Sequence, residues 1–321
     1  MGVRRKRDWT LLAQSGKLPG MVLHTSKLRL GHARFLLLLL IGLASCRRPS
    51  QDAEVRDPLA NAWTHYRLGE FDSAERAFAA ALAAFPEGDP RHELAVFGLA
   101  TTWNLRTPVG AQDKAAAGQY YQQIIDRAPN SDLAAWSLLA LARMQHVVPV
   151  GSEPDYAAVR AAYQQVIARF PDHLAGQEAF VYLQATFIQT LEEAPTRAAV
   201  AALQAFVAQH PRSGFLSGAW MLLATGYEIL HEPDAQLAAE LKALETMEID
   251  PTNPRFENSG NYWRIATIAE FEAGDFDTAR RFYRRLISEY PQDIRVYASE
   301  EALTRMDAVE ARLRQGQGAG S

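Results

Sequence analysis

The sequence holds a single cysteine, Cys46, so no disulfide can form within the chain and an oxidising compartment adds nothing to its stability. It has no apolar run long enough to cross a bilayer, which takes about 20 residues; the stretch 35–43 reaches only nine. A phosphate-cradling loop of the form G-x-x-x-x-G-K-S/T is missing, and so is the H-E-x-x-H pair of a helical zinc site. Ser217 sits in Leu216-Ser217-Gly218-Ala219 and lacks the G-x-S-x-G elbow of a nucleophilic serine. His65, His92, His146, His173, His210 and His231 are scattered, none paired with another ligand in an H-E-x-x-H or similar pattern, so no metal and no cofactor is expected. The adjacent carboxylates Glu192-Glu193 and Glu300-Glu301 would point apart on a helix and form no acid–base pair. No catalytic constellation emerges, and the chain is not expected to be an enzyme.

Basic charge outweighs acidic charge at the start but not over the rest of the chain. The first 45 residues carry eight Lys/Arg (Arg4, Arg5, Lys6, Arg7, Lys17, Lys27, Arg29, Arg34) and one acid, Asp8. They end in the apolar run 35–43 and the small residues Ala44 and Ser45, directly before Cys46. A basic flank, a short apolar core and small residues before a cut form a secretory signal. Leu43, Ala44, Ser45 and Cys46 resemble a bacterial lipobox, which implies lipidation of Cys46 and cleavage before it. The expected organisation is a signal peptide over 1–45, with Met21 the more ordinary start, then a lipidated tether over 46–57. Without residues 1–45 the chain keeps 25 basic and 36 acidic residues, a net charge of about −11. That balance argues against binding nucleic acid or adhering electrostatically to anionic lipid.

What the chain does contain is a repeat. The stretch 273–291, AGDFDTARRFYRRLISEYP, aligns without a gap on 68–86, LGEFDSAERAFAAALAAFP. Gly69 matches Gly274, Phe71 matches Phe276, Asp72 matches Asp277, Ala74 matches Ala279, Phe78 matches Tyr283 and Pro86 matches Pro291. Each residue type has a physical reason. The glycine permits a tight turn between helices. The aspartate suits the N-terminal end of the next helix, where a carboxylate can accept from free N–H groups. The alanine lets two helices approach, and the aromatic four residues on shares its face. The proline ends the helix. Prolines close apolar helical patterns at 86, 129, 171, 211, 251 and 291, a spacing of about 40 residues, and fixed self-similarity at that period signals a solenoid.

The pattern predicts six helical hairpins: 59–68 with 72–85, 91–105 with 112–127, 131–146 with 154–170, 173–191 with 195–209, 213–230 with 233–247, and 258–273 with 276–290. Pro154, Pro195 and Pro233 fall where second helices should begin. A single helix over 293–313 would cover the last apolar face, as solenoid ends require. The predicted fold is all-α, an array of about six hairpins with a C-terminal capping helix over 58–314, followed by a disordered tail over 315–321.

These residues resemble the tetratricopeptide (TPR) repeat, and the resemblance implies a right-handed superhelix whose first helices line a concave, partner-binding groove. TPR-like hairpins on a lipobox resemble the lipoprotein subunit of the outer-membrane β-barrel assembly machinery and its envelope relatives. That subunit has five repeats, whereas six hairpins are read here. The resemblance implies a lipid-anchored scaffold on the periplasmic face of the outer membrane, with other cell-envelope proteins as partners. The alternative is a periplasmic coordinator of cell-wall synthesis or a peptidoglycan-associated binding module. Trp63, Trp103, Trp136, Trp220 and Trp263 each fall in a first helix but at differing distances from the closing proline, which suits gap-filling between repeats. Trp63 and Tyr66 are the candidates for groove exposure. On the last second helix, Arg281 and Arg285 stack at i, i+4, as do Arg280 and Arg284; they would either dock an acidic partner or an anionic glycan, or form a solvated face partly neutralised by Glu289 and its neighbours.

Overall fold

The computed structural model describes residues 57–106, 111–247 and 257–318. The stretches expected to be the signal, the lipobox and most of the tether, together with Pro251, lie outside the described residues. Six hairpins run in chain order: α1 (Pro58–Arg67) with α2 (Phe71–Ala84), α3 (Pro90–Leu105) with α4 (Ala111–Arg127), and α5 (Asp132–His146) with α6 (Tyr156–Arg169). They continue with α7 (Leu174–Ile188) and α8 (Glu193–Gln209), α9 (Leu216–Ile229) and α10 (Pro233–Glu245), then α11 (Ser259–Ile268) and α12 (Phe276–Glu289). A π-turn (Ala269–Ala273) extends α11, and α13 (Val296–Gly318) covers the end. No strand occurs among the described residues.

The repeat residues do what their chemistry suggests. Gly69 and Gly274 adopt φ of 73° and 70°, the left-handed turn that lets the chain reverse after a first helix. The Glu70 N–H closes that turn by donating to the His65 carbonyl at 2.9 Å. Ala74 and Ala279 are wholly buried, as are Phe78 and Tyr283 beside them. Where hairpins four and five lack the glycine, Leu191 and His231 take the same left-handed conformation, at φ of 58° and 57°.

Several boundaries differ from the sequence expectation. Asp155 caps α6, its carboxylate accepting from the Ala157 and Ala158 amides, so Pro154 lies outside the helix it was expected to begin. Pro195 lies inside α8, whose first residue is Glu193, and Pro233 does open α10. The cap of α12 is Asp275, accepting from the Thr278 N–H at 3.0 Å. Asp72 and Asp277 fall in the first turn instead, where they act on the helix dipole. α13 continues to Gly318, into the stretch expected to be a disordered tail, because adding residues to an existing helix carries no nucleation cost.

Packing sets the curvature. Each helix contacts its neighbours in the chain, and the first helices α1, α3, α5, α7 and α9 also touch one another in succession. The second helices show no comparable mutual contact, so the array bends with its first helices inside.

Candidate functional site

A polar and aromatic cluster sits on the inner side of the first four hairpins. α5 places Trp136, Ala140 and Arg143 at helical spacing, and α7 places Glu178 and Tyr182 one turn apart. Arg143 Nη1 donates to Glu178 Oε1 at 3.4 Å, and its guanidinium lies 5.0 Å above the Tyr182 ring. Tyr182 stacks in turn on Tyr163 of α6, with 5.8 Å between centroids. The side chain of Glu178 is 9% exposed and that of Arg143 20%. Burial pushes the Glu178 carboxyl above the usual carboxylate range, and Arg143 offsets part of that shift.

His146, at the end of α5, joins three helices. One ring nitrogen meets the Tyr163 hydroxyl at 3.0 Å, and the other meets the Gln189 side-chain oxygen at 2.9 Å. A carbonyl oxygen only accepts, so Nε2 carries the proton and Nδ1 accepts from Tyr163. Burial, followed by the nearby Arg143 charge, holds the His146 pKa below the ordinary imidazole value.

Tyr66 of α1 belongs to the same neighbourhood. Burial raises its pKa well above that of an ordinary phenol, and it feels both Tyr121 of α4 and Arg143 of α5. Burial likewise pushes Tyr121 up to about 12, and its hydroxyl donates to Thr101 Oγ1 of α3 at 3.1 Å. Trp63 is half-buried between the first two hairpins, edge-on to Phe78 at 4.9 Å and tilted to Phe97 at 6.4 Å. It chiefly joins repeats, and Tyr66 packs edge-on against it at 5.5 Å and against Phe71 at 5.9 Å.

Arg281 and Arg285 lie elsewhere, on the outer second helix α12. Arg285 Nε donates to Glu289 at 2.8 Å, and its Nη2 donates to the Tyr262 hydroxyl at 2.6 Å. The Tyr262 pKa is pushed up to about 12 by burial and by its own bond to Glu289. Arg280 is tied to Asp307 and Glu310 of α13, both at 2.9 Å. The basic cluster read from the sequence therefore divides: Arg280 and Arg285 hold the fold, and Arg281 and Arg284 face solvent. Arg143 and Glu178 were missed as site residues. The available signal was a charge on an otherwise apolar helix face in DLAAWSLLALARMQH and in LAGQEAFVYLQATFI. Among the described residues no group of three or more His, Cys, Asp or Glu could hold a metal ion, and no helix is long and apolar enough to cross a membrane.

Residues 59–132 and 261–293 match family models for the tetratricopeptide repeat. The chain is a tetratricopeptide-repeat protein. No curated protein matches it. Among solved structures, the TPR protein is similar to an assembly chaperone of RpL4 (Acl4), with 15% identity and a TM-score of 0.47 over 80% of this chain and 98% of that one. It is also similar to the APC/C hetero-tetramer Cut9-Hcn1, with 15% identity and a TM-score of 0.49, over 77% of this chain and 42% of that one. A thermophilic TPR protein of Thermus thermophilus shares 19% identity, with a TM-score of 0.31, over 77% of this chain and 97% of that one. TPR arrays are scaffolds for protein–protein interaction, typically without catalysis, and no enzyme family matches this one.

Proposed function

We propose that this TPR protein is a lipid-anchored scaffold of the bacterial envelope, held at Cys46 on the periplasmic face of the outer membrane, that binds a segment of a partner protein along its inner face. The observation that carries the binding site is the convergence of Arg143, Glu178 and Tyr182 from hairpins three and four, with Tyr66 of hairpin one within reach of the Arg143 charge. Such a surface is preformed, so little ordering cost offsets the affinity it gives. The stacked guanidinium and tyrosine rings suit an extended segment with polar and aromatic side chains. The anchor rests on Cys46, the chain's single cysteine, following Leu43, Ala44 and Ser45. Restricting the scaffold to a surface raises its effective concentration toward partners there.

The test has two arms. Metabolic labelling with a radioactive fatty acid should mark the wild type and leave Cys46→Ser unlabelled and released from membranes; label in both would sink the anchor. A photoreactive residue at Tyr66 or Tyr182 should crosslink a specific envelope protein in cells, with loss of the adduct on Arg143→Met. Adducts with the barrel-assembly core would put the scaffold in outer-membrane assembly, and adducts with wall-synthesis enzymes would support the alternative role. Adducts that persist in Arg143→Met would remove the inner face as the binding site.

A further inference from the structure

We infer that a cleft on the outer face of hairpins two and three is a second binding site, and that its ligand is a zwitterionic peptide of two or three residues. The second helices α4 and α6 stand apart with α5 between them, and the space they enclose has a volume of about 520 Å³. Small-molecule sites run from about 300 to 1,000 Å³. Leu138, Leu141 and Ala142 of α5 form the floor, with Ile125 of α4 and Ala162 of α6 at the sides. On α5 these floor residues occupy the face opposite Trp136, Ala140 and Arg143, so the cleft is separate from the inner face.

The two walls carry opposite charges. α4 contributes Gln122 and Asp126, one turn apart, and α6 contributes Gln165 and Arg169 at the same spacing. The Gln122 amide donates to Asp126 Oδ1 at 2.8 Å, which orients the carboxylate and leaves Oδ2 without a partner. Arg169 Nη2 donates to the Pro129 carbonyl at 2.6 Å, and the guanidinium lies 5.4 Å from the centre of the Phe170 ring. A guanidinium has five donor hydrogens, so that one bond leaves most of them unused. Neither charge has a counter-ion among the described residues, although both line one cavity.

Repeat packing by itself requires neither charge. Counted back from the closing prolines Pro129 and Pro86, Gln122 and Asp126 correspond to Ala79 and Ala83 of α2. Counted back from Pro171 and Pro211, Gln165 and Arg169 correspond to Ala205 and Gln209 of α8. The preceding cleft therefore has no acid at these wall positions, and the following one has no base. A molecule with an ammonium at one end and a carboxylate at the other satisfies both walls: the ammonium donates to Asp126, and the carboxylate accepts from Arg169. Gln145 and Gln165 each offer a donor and an acceptor to the peptide bond between those ends, and the apolar floor takes aliphatic side chains. A single amino acid would leave most of the volume to water, which sets the length at two or three residues.

The purified full chain is titrated calorimetrically with the dipeptide Leu-Leu, with its N-acetyl form and with its C-terminal amide. The free dipeptide should bind, and each cap should weaken binding about tenfold, because one charged contact is lost. Methyl NMR shifts on binding should map to Ile125, Leu138 and Leu141. Asp126→Asn should bind Leu-Leu about tenfold more weakly and no longer distinguish it from the N-acetyl form. Arg169→Gln should show the same loss and no longer distinguish Leu-Leu from the amide. Both side chains are exposed, so the variants keep their fold, and the capped probes test the wild type without any substitution. Failure of Leu-Leu to bind at about millimolar concentration would overturn the inference. So would equal affinity for the three probes, shifts confined to the inner face, or discrimination between the probes that survives in Asp126→Asn and Arg169→Gln.

Discussion

Arg143 and Glu178 meet at 3.4 Å across the contact between α5 and α7, with the Tyr182 ring beneath the guanidinium. Removing the arginine leaves a carboxylate that is 9% exposed without its counter-charge. Arg143→Met should therefore destabilise the array by about 3 kcal/mol, the lower end of the range for a broken buried pair because a fifth of Arg143 still meets water. It should also move the Glu178 titration further up, since the larger of the two effects opposing burial is gone and only the Tyr182 hydrogen bond remains. Urea unfolding and carboxyl-carbon NMR check both, and an unmoved Glu178 would show that the pair is not coupled.

His146 makes stability depend on pH. Its folded pKa lies below the unfolded value of about 6.5, so the unfolded chain binds more protons through that range. Its contribution is complete above the unfolded value and is lost as pH falls through the folded one, by at most about 1.4 kcal/mol per pH unit. His146→Gln should flatten the melting temperature between pH 7 and 5, measured by circular dichroism at about those values. An unchanged slope would assign the dependence to other groups.

Two helical glycines are set by close approach. A methyl group at Gly176 would collide with the Phe170 carbonyl, and one at Gly98 would collide with the Phe78 ring. Backbone cannot move aside as a ring can. Gly176→Ala should therefore cost more than Gly98→Ala, each by about 1–3 kcal/mol despite alanine's better helix propensity. Thermal unfolding of the two variants checks the order.

Leu191→Gly should stabilise the protein by roughly 1 kcal/mol, the cost of holding a branched residue in the left-handed region. The reverse change at the equivalent position, Gly274→Leu, should destabilise it by a similar amount. A loss of stability in Leu191→Gly would mean that the exposed side chain makes contacts that outweigh the strain.

Arg280→Ala should loosen α13, because that guanidinium bridges Asp307 and Glu310. Arg281→Ala should leave α13 unchanged, its side chain facing solvent beside the Phe282 ring at 5.0 Å. Hydrogen exchange along 296–306 separates the two; equal protection in both variants would deny the bridge its role.

The repeat was legible because it rests on local rules. A glycine before an Asp, an alanine four residues before an aromatic and a terminating proline specify a turn, a close helix pair and a stop wherever they occur. Gly69, Ala74, Phe78 and Pro86 therefore announced the first hairpin, and Gly274, Ala279, Tyr283 and Pro291 the last. The left-handed turns at Leu191 and His231 carry no such residue, and only the hairpins on either side force that conformation. The α12 arginines were read as one patch because helical spacing groups them, yet their partners Tyr262 and Glu310 lie 23 and 30 residues away in the chain.

The sequence by itself determined the helices, their pairing into hairpins and the capping helix, since periodicity, caps and turn residues act over a few residues. The tertiary structure decided which surfaces those hairpins share. Arg143, Glu178, Tyr182 and Tyr66 come together only because each repeat rotates slightly on the last. That rotation is set by how side-chain volumes pack between helices, a sum over many contacts that no single residue encodes.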